Sequence, residues 1–140
     1  KLLISASEAT HLSYSPYSKL KVGSALLLSN NEIVKGANME NASYPLSMCA
    51  ERTALYNAKL NHQSENILKI AITAKNKEED INNYISPCGA CRQVLIEQEN
   101  NQNNKIEVFL TSEDIDFVVQ LDSWGEFLPL NFDKNILIKE

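Results

Sequence analysis

The chain has 140 residues, the length of one ordinary domain spanning residues 1–140, and 44% of its side chains are apolar. That is enough to bury a core, which excludes a disordered chain. Thirteen basic against 18 acidic residues give a net charge of −5, so no cationic excess is present to neutralise nucleic-acid phosphates. No stretch approaches the roughly 18 consecutive apolar residues that a membrane span needs.

In chain order, Leu2, Ala6, Ala9 and Ser13 fall at helical spacing and predict a first helix that ends before Tyr14-Ser15-Pro16. Val22 to Ser29 and Ile33 to Gly36 read as strands, with Asn30-Asn31 as the tight hairpin turn between them. Ala50 to Leu60 is rich in helix formers, and Ala50, Ala54 and Ala58 lie on one stripe that permits close packing. Ile67 to Ala74 reads as a buried strand and the charged stretch Lys75 to Tyr84 as a loop. Cys88 to Glu99 reads as a helix, and Glu107–Thr111 and Phe117–Leu121 as strands. The asparagines at 82–83, 100–101 and 103–104 read as solvated loops. The order predicts an α/β domain with helices on a central sheet of about five strands, partly parallel, with an antiparallel opening hairpin.

Three cysteines are an odd number, so no complete intrachain disulfide set is possible. Lys1 to Ser13 does not read as a signal peptide, and free thiols then point to a reducing cytoplasm. Cys88 and Cys91 form a C-x-x-C pair after Pro87, and Cys49 stands alone; both groups fall at helix starts. Positions i and i+3 share one helix face, and a helix N-terminus favours thiolates, so the three sulfurs suit one Zn²⁺ per chain. Three protein ligands leave the fourth place to a water, the pattern of a catalytic rather than a structural zinc site. The histidines, His11 and His62, lie outside both groups.

Three thiolates against one Zn²⁺ leave the centre at −1, which calls for an offsetting cation. Arg52, three residues after Cys49, is the candidate for that supporting contact, assisted by the two helix dipoles. Glu51 is next but one to Cys49, so it can face the open place without occupying it and carry protons there. On its own it would sooner read as a first-turn glutamate complementing the helix dipole; coupled to Cys49 and Pro87-Cys88-Gly89-Ala90-Cys91, it reads as the proton carrier.

Cys49-Ala50-Glu51 followed by Pro87-Cys88-Gly89-Ala90-Cys91 fits the all-cysteine form of the zinc deaminase signature. From about Tyr14 to Phe132 the chain resembles the small homotetrameric cytidine deaminases. The resemblance is carried by Tyr14-Ser15-Pro16-Tyr17-Ser18 with Val22-Gly23, by Asn38-Met39-Glu40-Asn41-Ala42, by Cys49 to Ala54, by Pro87 to Gln93 and by Leu128 to Phe132. It implies a three-layer fold, with helices on both faces of a mixed five-stranded sheet. It also implies hydrolytic deamination of cytidine and 2′-deoxycytidine to uridine and 2′-deoxyuridine, in pyrimidine salvage. Asn38 and Glu40 would hold the ribose; Ala50 and Cys88 would contribute backbone contacts to the base and to the oxygen at the metal. Phe132 would reach a neighbouring subunit's pocket in a tetramer. The position of Leu20 usually carries an aromatic that stacks on the base, so weaker base binding or a shifted substrate preference is expected here.

A zinc-stabilised binding module without turnover is the reading from another class; the open fourth place and the non-ligand glutamate argue against it. Within the fold, deamination of nucleotides or nucleic acid is disfavoured by the charge, whereas an aminopyrimidine antibiotic would use the same zinc core.

Overall fold

The computed structural model describes residues 1–76, 78, 81 and 84–137. Helix α1 (Leu2–Ala9) continues as a 3-10 turn (Thr10–Leu12), and the chain turns extended at Ser13. It then forms β1 (Leu20–Leu28), β2 (Ile33–Ala37), α2 (Ala50–Asn61), β3 (Ile67–Asn76), α3 (Gly89–Gln102), β4 (Glu107–Thr111) and β5 (Val118–Leu121). The sheet order is β2-β1-β3-β4-β5; β3 and β4, joined through α3, run parallel, and the other described neighbours run antiparallel. This is the α/β architecture expected from the element order.

Alternation along the strands builds the three layers. Leu26, Leu28, Val34, Ile70, Ile72, Val108 and Leu110 point to one face and pack with Ala54 and Leu55 of α2 and Leu95 and Ile96 of α3. Ala25 and Ala71 point to the other face and meet Ala6 of α1. Two glycines set the spacing. A Cβ on Gly23 would lie 2.1 Å from the Ala6 carbonyl oxygen of α1. One on Gly36 would lie 2.3 Å from the Ala54 amide nitrogen and 2.5 Å from the Ala50 carbonyl oxygen. The alanine stripe of α2 is therefore used inside the chain, to seat the helix on β2.

Several boundaries differ from the sequence expectation. β1 starts at Leu20 and β3 ends at Asn76, because Leu20 and Lys21 pair with Asn76 and Lys75. In the hairpin, Leu28 and Glu32 close on each other and Asn31 takes φ +69°, the left-handed position of a three-residue loop. Asn100 and Asn101 lie in α3 rather than in a loop. The helix is carried that far by Gln102. Its Nε2 donates to the Ile67 carbonyl at 2.7 Å and its Oε1 accepts from the Ile67 amide at 2.9 Å, which imitates a strand partner for β3. Asn103 ends the helix at φ +57°. Asn82 and Asn83 lie outside the described residues. Among the described residues, no helix is long and apolar enough to cross a membrane.

Candidate metal and active site

Helices α2 and α3 start side by side over one face of the sheet. Cys49 is the N-cap of α2, Cys88 is the N-cap of α3, and Cys91 lies in the first turn of α3. All three sulfurs lie within 4.8 Å of one another; Cys49 Sγ is 3.7 Å from Cys88 Sγ, and Cys88 Sγ is 3.6 Å from Cys91 Sγ. A tetrahedral zinc with bonds near 2.3 Å has sulfur–sulfur edges of about 3.8 Å. The cluster therefore fits zinc in size and in donor type. Cys91 is fully buried, Cys49 half-buried and Cys88 exposed, so the cluster opens to one side.

The electrostatics favour a thiolate there. Hydrogen bonding from the Cys91 thiol, then from Arg52 and Cys88, lowers the Cys49 pKa to about 5 against the cost of burial. Cys91, as the donor in that pair, is pushed upward, and its own burial adds to the shift. Arg52 Nη2 lies 3.8 Å from Cys49 Sγ, as its spacing suggested. Glu51 is 4% exposed. Burial is the main cause raising its pKa, and the Cys49 thiolate adds to this, while its own backbone amide and Cys91 oppose.

Beside the cluster lies a cavity of about 500 Å³, within the usual range for small-molecule sites. Its wall includes Cys49, Ala50, Glu51 and Cys88 at the metal end. Leu20, Asn38 and Glu40 line it further out. No Lys or Arg is among the described residues that line it.

A match over residues 1–104 to the cytidine and deoxycytidylate deaminase zinc-binding region covers both cysteine groups. The chain belongs to this family. It is 44% identical over 96 residues to a cytidine deaminase of Halalkalibacterium halodurans, covering 69% of this chain and 68% of that one. It is 36% identical over 137 residues to a cytidine deaminase of Sporosarcina psychrophila, covering 98% and 93%. The crystal structure of cytidine deaminase from Burkholderia pseudomallei superposes with a TM-score of 0.80 at 38% identity, covering 94% of this chain and 96% of that one. The family is a zinc-binding one, and the Cys49, Cys88 and Cys91 group of this member could hold the ion.

The fold thus brings eight of the ten residues singled out from the sequence to the cluster and the cavity wall, and Arg52 reaches the cluster through Cys49. Phe132 is apart: it is exposed, it does not line this chain's cavity, and its carbonyl accepts from Gln93 Nε2 at 2.8 Å. Asn38 and Glu40 already serve the chain itself. Asn38 Oδ1 accepts from the Val22 amide at 2.8 Å and the Ser13 hydroxyl at 2.6 Å, and Nδ2 donates to the Leu20 carbonyl at 2.9 Å. Glu40 Oε2 accepts from the Tyr17 amide at 2.9 Å and the Ser18 amide at 3.3 Å, and Oε1 from the Ser18 hydroxyl.

Sequence reasoning missed Tyr17, Tyr44, Met48, Ile85 and Ser86 as cavity walls. Met48 and Ser86 stand beside Cys49 and Pro87, so adjacency was an available signal. Tyr44 gave none; it enters because the loop before α2 folds back and brings its ring to 6.0 Å from that of Tyr17.

Proposed function

We propose that the chain hydrolytically deaminates cytidine and 2′-deoxycytidine to the corresponding uridines and ammonia, with Cys49, Cys88 and Cys91 holding zinc and Glu51 carrying the protons. The observation behind this is the wall of one cavity, where a buried carboxyl, a three-thiol cluster and the absence of any Lys or Arg among the described lining residues coincide. Zinc bound there supplies Lewis acidity and lowers the pKa of a water toward neutrality. Glu51 takes a proton from the attacking water, delivers it to ring nitrogen 3, and helps the amino group leave as ammonia. Its raised pKa suits this duty, because burial makes the protonated carboxyl accessible nearer neutral pH. Arg52 offsets the excess negative charge of the thiolates. Ala50 and Cys88 face the cavity at helix starts, where backbone groups without helical partners are available to the base.

Asn38 and Glu40 hold the sugar with what their internal bonds leave over. Asn38 keeps one amide hydrogen, and Glu40 Oε1 keeps one acceptor position. One donor and one acceptor suit the hydroxyl groups of a ribose. The lack of a lining cation, with Glu40 at the same wall, favours nucleosides over their monophosphates. Leu20 covers the base by apolar contact in place of stacking.

The assembly belongs to the same proposal. Phe132 is exposed and away from its own cavity, which suits a residue that completes a neighbouring subunit's site in a homotetramer. The enzyme would act in a reducing cytoplasm, where its thiols stay available to zinc.

An absorbance assay on cytidine, deoxycytidine and their monophosphates, with zinc quantified per chain, tests the reading. Turnover of both nucleosides at one zinc per chain, with the monophosphates poor, is expected. A zinc-loaded protein inert toward every aminopyrimidine would make it a binding module. Light scattering should give the mass of four chains.

A further inference from the structure

We propose that Arg92 is a positioning residue. It clamps the Ser86-Pro87-Cys88 wall of the cavity to the C-terminal 3-10 turn Trp124–Phe127 and so holds the Cys88 sulfur in the metal cluster. This goes beyond the deaminase reading and rests only on the zinc site.

Arg92 follows Cys91 in the first turn of α3, yet its side chain does not run out into solvent. Nε donates to the carbonyl of buried Pro87 at 2.9 Å, and Nη2 donates to Ser86 Oγ at 3.0 Å. Nη1 faces the Phe127 carbonyl at 3.4 Å, and the guanidinium carbon lies 5.2 Å from the centre of the Phe127 ring. One planar group thus grips two consecutive residues of a segment outside any helix or strand, just before a cysteine of the cluster. A fork of fixed donors can do this; a single ammonium cannot.

The far side of the clamp is itself fixed. The Trp124 indole, fully buried, donates from Nε1 to the Arg92 carbonyl at 2.9 Å. Glu99, on the same helix as Arg92, accepts from the Trp124 amide at 2.8 Å, the Ser123 hydroxyl at 2.7 Å and the Gly125 amide at 3.1 Å. The turn is therefore a rigid anchor for Arg92. Cys88 needs one, because it is exposed while Cys91 is fully buried in the core. Of the two sulfurs of α3, Cys88 is the one that neighbouring packing does not hold.

The test is zinc release from the zinc-loaded full chain into excess colorimetric chelator. Arg92→Met is expected to release zinc at least ten times faster than the unmodified protein. Arg92→Lys should recover only part of this, since it cannot reach Ser86, Pro87 and Phe127 together. Ser86→Ala should speed release a few-fold alone and add nothing in the Arg92→Met background. Phe127→Leu, which removes only the ring beside the guanidinium and keeps the bonds to the residue 127 carbonyl and to residues 86 and 87, should lower the melting temperature with release little changed. Release from Arg92→Met at the original rate, or no faster than from Phe127→Leu at equal distance below its melting temperature, would overturn the proposal. If Arg92→Met does not fold, Arg92→Lys decides in the same way: a few-fold acceleration supports the clamp and an unchanged rate refutes it. Because zinc release is read without substrate, the clamp can fail while the deaminase reading stands, and the reverse.

Discussion

The two ends of the cavity are built in opposite ways. At the metal end the functional groups sit at helix starts over the core: Cys91 is fully buried, Glu51 is 4% exposed, and Gly36 lets α2 approach β2 closely. At the outer end Asn38 and Glu40 come from the loop after β2, and most of their hydrogen-bonding capacity is spent tying residues 13–22 into place. The first end is held by secondary structure and packing, except at exposed Cys88, which in the proposed clamp rests on Arg92. The second is held by backbone bonds of Asn38, Met39 and Glu40 to Val22, Met48 and Tyr14, and beside them by polar side chains that would also have to serve the substrate. Chemistry and fold are therefore separable at the metal end and entangled at the outer end.

The largest effect should come from a change that keeps the metal end intact. Glu51→Gln preserves shape and leaves the three sulfurs alone, so zinc content and melting temperature should stay near their original values. Turnover should fall by at least about 10²-fold, as for loss of a general acid–base group. Steady-state kinetics beside a metal assay measures both. Near-normal turnover would remove Glu51 from the chemistry.

Asn38→Ala should show the entanglement. It takes the Asn38 side chain from the Val22 amide and the Leu20 carbonyl, and leaves the Ser13 hydroxyl only its bond to Ser15. A cost of about 1–3 kcal/mol to stability is expected for such unpaired groups, seen as a lower melting temperature, together with a raised KM and unchanged zinc content. A raised KM with no loss of stability would mean that Asn38 is free to serve substrate alone.

This contrast also explains what the sequence revealed. The metal end was legible because thiols at i and i+3 after a proline, and a glutamate two residues from a third thiol, are rare and chemically specific. The strand pattern was legible because Val22–Ser29 and Ile67–Ala74 are largely apolar segments bounded by polar residues. The outer end was harder: Asn38 and Glu40 look like any polar loop until the chain is folded, and Tyr17 and Tyr44 become neighbours only through long-range contact. Gln102 shows the same limit. Its amide extends α3 through Asn100 and Asn101 by bonding to Ile67, a partner 35 residues away. Arg92 has an ordinary helical setting in sequence, and its partners on the wall and the turn exist only in three dimensions.

A weaker effect is expected from acid. The Ser18 hydroxyl above all, helped by the Tyr17 and Ser18 amides, holds the Glu40 pKa below the ordinary value of 4.5 against desolvation, the second-largest influence. A depressed folded-state pKa means that the contribution is fully present above the unfolded value and is lost as pH falls through the folded one. Protection of the Tyr17 and Ser18 amides, taken relative to the intrinsic exchange rate at each pH, should therefore fall only below pH 4.5, through the lowered Glu40 pKa. In Glu40→Gln the same amides should exchange faster at neutral pH and show no such step. Equal pH profiles in the two proteins would show that the loop is held by other contacts.

The smallest change tests where the outer end meets the base. Leu20 opens β1, lines the cavity and packs against the main core, so its backbone is set by pairing with Asn76 and not by the substrate. If Leu20 covers the base, as in the proposed function, replacing it with Phe alters only that contact. An aromatic contact adds about 0.5–1.5 kcal/mol beyond area burial, which corresponds to roughly a two- to tenfold fall in KM. Because the added contact acts on the base, cytidine and deoxycytidine should gain alike, and kcat should move little. A gain confined to one nucleoside would place Leu20 beside the sugar instead. Unchanged KM for both would show that the leucine already fills its role, and the substitution at this position would then carry no meaning for substrate preference.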